Sequence, residues 1–275
     1  MKKKGSYKTI LGYMLLVIVL LLTVTPIYIV LSNSLRKTLE MKIMPPKILF
    51  EPTTIHFERL FLIDNFYRYF FNSVIISVSV TIVTIVLGTF TAYGFKICKS
   101  RVGEFVSNFL LLGKLVPPIT ILIPLYIMLN SVRLTGTYLG PILAHSALGL
   151  AFITWLLTSF IRNIPMELLE SACVDGSTRM NTLYKIVFPM LTPVLASAVI
   201  LIMRFSWNEL MFSLQLTNIR TYPLTVGIAR YVGAISVDWG KSSAAATIAM
   251  IPMILIGFIM QKYLVAGLSS GAVKG

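Results

Sequence analysis

Long, uninterrupted apolar runs limit what this chain can fold into more than any other feature of its sequence. A helix rising about 1.5 Å per residue needs roughly 20 apolar residues to cross about 30 Å of hydrocarbon. Six segments reach or approach that length: about 9–34, 70–96, 104–130, 138–161, 187–216 and 240–265. None alternates in the way of an outer-membrane barrel strand. The expected fold class is therefore all-α integral membrane, with six transmembrane helices. Composition supports this, because 56% of the 275 residues are hydrophobic and only 12% are charged, against about 25% charged in soluble domains.

The net charge of +14 is spread over short flanks at helix ends and forms no continuous soluble face. Membrane lipid headgroups are the partner it fits, and no nucleic acid is expected. Lys2, Lys3, Lys4 and Lys8 place the N-terminus in the cytoplasm, and an even number of spans returns the C-terminus there. The connections from Lys96 to Arg101 and from Arg162 to Lys185 are then cytoplasmic, whereas 131–137 holds only Arg133 and lies outside. Against this scheme, the outer connection 35–69 carries Arg36, Lys37, Lys42, Lys47, Arg59 and Arg68. The first run imitates a signal peptide, but Thr23-Val24-Thr25-Pro26 offers no A-x-A site, so an uncleaved first span is expected.

Little in the chain resembles reaction chemistry. Cys98 and Cys173 are far apart, with no C-x-x-C and no histidine at ligand spacing, so no metal site and no redox role are expected. His56 falls in a polar loop, and His145 sits in an apolar run where a helix-to-helix hydrogen bond accounts for it. The sequence contains no G-x-x-x-x-G-K-[ST] and no H-E-x-x-H, and its G-x-S-x-G string, Gly267 to Gly271, follows a long apolar run and lacks the strand-to-helix setting that motif needs. No catalytic residues and no cofactor are therefore assigned. Lys114, Arg204 and Glu209 lie within apolar segments, where an ionisable group is costly. Glu209 is expected to meet a residue of another helix, with Lys114 as the candidate. Pro117, Pro118, Pro124, Pro189, Pro193 and Pro252 free backbone carbonyls that neighbours must satisfy, so their segments are expected to be interior.

One polar insert, "RNIPMELLESACVDGSTRMNTLYK", separates the fourth and fifth spans. Asn163 is expected to cap a helix of about ten residues, with Pro165 and Glu167 in its first turn and Gly176 as its left-handed stop. Ile164, Leu168, Leu169, Ala172 and Cys173 recur at helical spacing. A second short helix begins after Ser177 and runs into the fifth span. The acidic polar face before Gly176 suits anionic headgroups poorly and favours a protein partner.

The order Glu170-Ser171-Ala172, three residues, Gly176, nine residues, Ile186-Val187-Phe188-Pro189 resembles the EAA-x3-G-x9-I-x-L-P signature of membrane subunits of ATP-binding-cassette importers. Ser171 stands in place of an Ala, and Phe188 replaces Leu. The resemblance continues from "NSVIISVSVTIVTIVLGTFTAYGFK" through "IPLYIMLNSVRLTGTYLGPIL", "SWNELMF" and "YPLTVGI" to "GLSSGAVKG". Over this length the chain is similar to the maltose-permease-type second membrane subunit of carbohydrate importers. The less similar part is the N-terminal span with its loop, residues 1–68, which precedes a core at 69–275.

The resemblance implies the type I importer permease fold, with 163–186 as the cytoplasmic coupling segment. It implies a coupling motif of Glu170, Ser171, Ala172, Gly176, Ile186 and Pro189, with Asp175 included beside the glycine. The implied partners are a second membrane permease subunit, two cytoplasmic ATP-binding subunits and an extracytoplasmic solute-binding protein, in the cytoplasmic membrane. Sugars are gripped by aromatic faces and polar donors, so Tyr126, Asn130, Trp207 and Asn208 are the sequence candidates for a translocation cavity. The alternative is an ion-coupled secondary carrier acting alone. The connection 217–239, with Tyr222, Leu224, Val226, Ile228 and Tyr231, either meets the binding protein or packs back on the bundle.

Overall fold

The computed structural model describes residues 6–43, 49–98, 101–233 and 236–272. Lys2, Lys3, Lys4, Lys47 and the last three residues lie outside them. The described residues are helical throughout, apart from loops and an isolated bridge between Val232 and Val237. Among the described residues, five helices are long and apolar enough to cross a membrane, or six if one bent pair counts as a single span. The chain groups into two compact units, 1–67 with 228–251, and 68–227 with 252–275.

In the first unit, α1 (Ser6–Ser34) is apolar on every side, as its exposed leucines, isoleucines and valines show. Such a helix is at home only in lipid or against other spans. The segment that follows is more ordered than its polarity suggests. Thr53 N–H donates to the Leu35 carbonyl at 2.7 Å, and the buried Arg36 guanidinium lies 4.5 Å from the Phe50 ring centre. His56 is not in a polar loop: it belongs to α2 (Ile55–Leu62), is buried, and pairs through Nε2 with the Arg36 carbonyl at 2.9 Å. Gly240 allows this, because a side chain there would collide with the imidazole. Asp64 accepts hydrogen bonds from Lys241 Nζ (2.8 Å) and Tyr231 OH (3.1 Å). Asp238 accepts the Lys241 N–H in the first turn of α12 (Trp239–Ala272).

The second unit is built on α3 (Tyr67–Ile97), α6 (Leu139–Ile161) and α9 (Phe188–Asn208). Ile76, Val80, Ile153, Leu157, Leu191, Ala198 and Ile202 form one buried cluster among them. Two glycines make the close approach possible: a Cβ at Gly88 would lie 2.8 Å from Ile153 Cγ2, and one at Gly149 would lie 2.9 Å from Ile202 Cδ1. Small residues at such contacts are the usual means of helix association in lipid. α4 (Arg101–Leu112) packs along α6. A smaller cluster of Leu122, Leu129, Ala144, Phe212 and Leu216 joins α5 (Pro118–Ser131) to α6 and α10 (Met211–Leu216).

Two spans expected to be continuous are broken. The segment 104–130 bends by 101° between Leu115 and Pro118. Pro117 and Pro118 both lack an N–H, and a residue before proline is driven out of the α region; Val116 has φ −70° and ψ 125°. The segment 187–216 stops at Asn208, and Glu209 is extended before α10 restarts. The prolines also do not make α5 interior: Leu122 and Leu129 are buried, but Ile119, Ile123, Ile127 and Met128 are exposed on the isolated chain. That face is free for lipid or another subunit.

The first half of the 217–239 connection packs back. Leu224 and Val226 are buried in α11 (Leu224–Ala229). Asn72 is the hub: its Nδ2 donates to the carbonyls of Arg220 (3.0 Å) and Tyr222 (2.9 Å), and its Oδ1 accepts from Tyr138 OH (2.7 Å).

Candidate coupling segment and membrane cavity

The insert folds as two short helices around a left-handed turn. α7 (Met166–Val174) starts after Pro165, with no side-chain cap. Asn163 does not cap it, because the Asn163 amide turns back and donates to the Ser159 carbonyl at 3.2 Å. At the other end, Gly176 has φ +78°. Its N–H donates to the Cys173 carbonyl (3.1 Å), and the Ser177 N–H donates to the Ala172 carbonyl (2.9 Å). This 6→1 and 5→2 pairing is the Schellman arrangement, in which glycine takes the left-handed position without a Cβ penalty. Thr178 then caps α8 (Arg179–Thr182), its Oγ1 accepting the Asn181 N–H at 3.3 Å. A π turn, Leu183–Val187, leads into α9 just before Pro189, which has no N–H to continue the ladder.

The inner face of the insert is part of the bundle. Ile164, Leu169, Ala172, Leu183 and Val187 are buried, and all but Ala172 belong to the main cluster. Two polar ties reach it from the end of α3: Tyr93 OH donates to the Arg179 carbonyl (2.9 Å), and Lys96 Nζ donates to the Arg162 carbonyl (3.1 Å). The outer face carries Glu170, Ser171, Asp175 and Gly176, with exposed Leu168, Val174, Met180 and Tyr184. Val174 is 87% exposed. Of the remaining motif residues, Ile186 is half-buried and Pro189 is exposed. The insert thus shows acidic and apolar groups to the outside while its inner face packs into the bundle.

The four cavity candidates are not brought together. Trp207 is 3% exposed, its ring edge-on to Phe70 at 5.9 Å. Asn208 donates to the Arg204 carbonyl (2.9 Å), and Asn130 Oδ1 accepts from Thr135 (2.8 Å). Tyr126 is exposed on α5. A cavity of about 520 Å³ exists nearby, but none of the four lines it. Its wall includes Gly113, Lys114, Ala147, Ala151, Phe205 and Glu209.

Glu209 does meet another helix, but its partner is His145 and not Lys114. His145 Nε2 lies 2.9 Å from Glu209 Oε2, and Nδ1 lies 3.0 Å from Ser206 Oγ. Glu209 also accepts the N–H groups of Phe212 (2.8 Å) and Ser213 (3.0 Å) and the Ser213 hydroxyl (3.1 Å). The carboxylate therefore caps α10 and pins the broken end of α9 to α6. The expectation that His145 makes a helix-to-helix hydrogen bond is met. Lys114 instead lies 5.8 Å from the Phe152 ring centre and 5.3 Å from that of Phe205, a cation–π placement. The signal for this cluster was in the sequence, as an Asn-Glu pair inside an apolar run, but nothing local named the histidine.

Several helices long and apolar enough to span define a multi-pass membrane protein, with an exposed elbow between two of them. The chain belongs to the family of binding-protein-dependent transport system inner membrane components, whose pattern matches residues 84–270. It is 32% identical over 255 residues to the melibiose/raffinose/stachyose import permease protein MelC of Bacillus subtilis, covering 91% of each chain. It is 30% identical over 256 residues to the trehalose transport system permease protein SugB of Mycobacterium tuberculosis, covering 91% of this chain and 92% of that one. The fold is that of a chain in the crystal structure of a bacterial importer of the acidic polysaccharide alginate. The match has a TM-score of 0.79 at 17% identity and covers 96% of this chain and 98% of that one.

Proposed function

We propose that this chain is one of two membrane subunits forming the path for a carbohydrate, mono- or oligosaccharide, delivered by an extracytoplasmic solute-binding protein. Two cytoplasmic ATPases supply the energy. Relatives whose names specify melibiose, raffinose, stachyose and trehalose support the substrate class. Residues 69–275 act as the transport core and 1–68 as an N-terminal addition, with both termini cytoplasmic. The observation that carries the mechanism is the α7–Gly176–α8 elbow, exposed outside and tied inside to α3 by Tyr93 and Lys96. Glu170, Ser171 and Asp175 meet the ATPase, while Ala172, Ile186 and Pro189 join the elbow to the bundle. Closure of the ATPases around ATP moves the elbow as a unit, and the ties pass that motion to α3, α6 and α9, switching access from one side to the other. A lone ion-coupled carrier is less well served, because its one candidate carboxylate, Glu209, is engaged in four hydrogen bonds.

Reconstitution tests this. Vesicles holding the four-subunit complex should accumulate a binding-protein-delivered sugar only with ATP inside. Uptake by this chain alone under a proton or sodium gradient would refute it. For orientation, cysteines at Leu49 and Val174, both largely exposed, are compared in a chain with Cys98 and Cys173 changed to serine. The Leu49 position should react with an impermeant reagent from outside and the Val174 position only after the membrane is opened.

A further inference from the structure

The two helix breaks of the second unit border the same space. Gly113 and Lys114 from the break between α4 and α5, and Glu209 from the break between α9 and α10, all line the 520 Å³ cavity. Non-helical backbone at membrane depth is tolerated only where protein covers it or water reaches it. Protein covers the Glu209 break, where the Glu209 carbonyl accepts from Thr225 Oγ1 at 2.8 Å, so the polar character of the space rests on Lys114. Ala147 and Ala151 keep the α6 side of the space open.

The cavity wall holds two ionisable groups, Lys114 and Glu209. The Glu209 side chain is only 9% exposed and its oxygens are taken by His145 and the start of α10, so it has little left to offer a ligand. Lys114 is exposed, and among the described residues no carboxylate lies within ion-pair distance of its ammonium. The rings of Phe152 and Phe205 stabilise the cation without accepting ordinary hydrogen bonds, so its N–H donors remain available. An ammonium beside an aromatic ring, in an otherwise mostly apolar wall, fits a ligand that has an anionic group next to an apolar face.

We infer that this cavity is a site for an anionic carbohydrate, with Lys114 holding its carboxylate or sulfonate and Phe205 taking the apolar face of the sugar ring. The inference rests on the importer reading, and names this chain's own contribution to the path. Lys114 is thereby a specificity residue that favours sugars bearing negative charge over neutral ones.

The test uses the assembled complex in membranes, with Cys98 and Cys173 changed to serine and Ala151→Cys as reporter. Reaction rates with sulfonatoethyl and trimethylammonioethyl methanethiosulfonate are compared after normalisation to free cysteine. The anionic reagent should be favoured by about tenfold, as a focused positive potential requires. The preference should vanish in Lys114→Gln and persist in Lys114→Arg. Millimolar digalacturonate should slow the labelling, and the neutral galactose disaccharide should not. A reporter inert to both reagents, a preference that survives Lys114→Gln, or no protection by digalacturonate would each overturn the proposal. Stimulation of ATP hydrolysis by the solute-binding protein in the same complex is scored separately: its absence refutes the importer reading, whereas the reagent ratio decides the anion site.

Discussion

The turn at Gly176 and the break at Glu209 interrupt helices of the same unit by opposite means. Gly176 stops α7 by its own backbone, at φ +78°, with nothing within 4 Å of where a Cβ would stand. Glu209 has an ordinary extended backbone, φ −74° and ψ 124°, and holds its break through a histidine 64 positions away in sequence. One geometry is written locally and faces outward. The other is written in tertiary contacts and is sealed inside. Local geometry can be handed to a partner as a preformed surface, whereas the sealed break serves to keep two spans in fixed register.

The largest effect is expected at the sealed break. Glu209→Ala leaves the N–H groups of Phe212 and Ser213 and the His145 ring without their acceptor, at a cost on the order of 3–5 kcal/mol. Thermal unfolding of the purified complex should show a marked fall in midpoint, with Glu209→Gln recovering part of it. An unchanged midpoint in the alanine variant would mean the break is held by packing alone.

At the elbow the effect is smaller and falls on transport. Gly176→Val meets no steric obstacle, so its cost is the left-handed backbone alone, about 1–3 kcal/mol. Inserted protein should remain abundant while sugar uptake and its coupling to ATP hydrolysis fall several-fold. Gly176→Asn should lie between valine and wild type, since asparagine enters this region more readily. Equal uptake by all three would remove the turn from the mechanism.

Smallest of all is Thr178→Ala, which removes one exposed helix cap worth about 1 kcal/mol. Uptake should stay within about twofold of wild type, since such a loss is small beside the packing of the insert. A severe transport defect here would show that α8, and not the glycine turn, sets the shape of the elbow.

The same contrast explains what the sequence disclosed. The spans, the stop at Gly176 and the second helix after Ser177 were legible because apolar run length and glycine act within a few residues of themselves. Pro117-Pro118 advertised a disturbance, yet the size of the bend depends on packing against α6 and was not readable. The Asn163 cap failed because its amide found the Ser159 carbonyl one turn back, a competing local bond that composition does not rank. Nothing near Glu209 pointed to His145, and polarity around His56 hid a buried ring whose place is made by Gly240. Trp207 looked like a sugar platform, but it packs edge-on against Phe70, and a single sequence cannot tell an interior aromatic from a pathway one.

The most direct test of the account is a photo-crosslinker at Val174, the most exposed apolar residue of α7, in the fully assembled complex. The elbow is predicted to give an adduct with the cytoplasmic ATPase, in a yield that changes when ATP is bound. Absence of that adduct in a complex that still transports, with the same position labelled by an impermeant reagent from outside the cell, would contradict the coupling role and the orientation together.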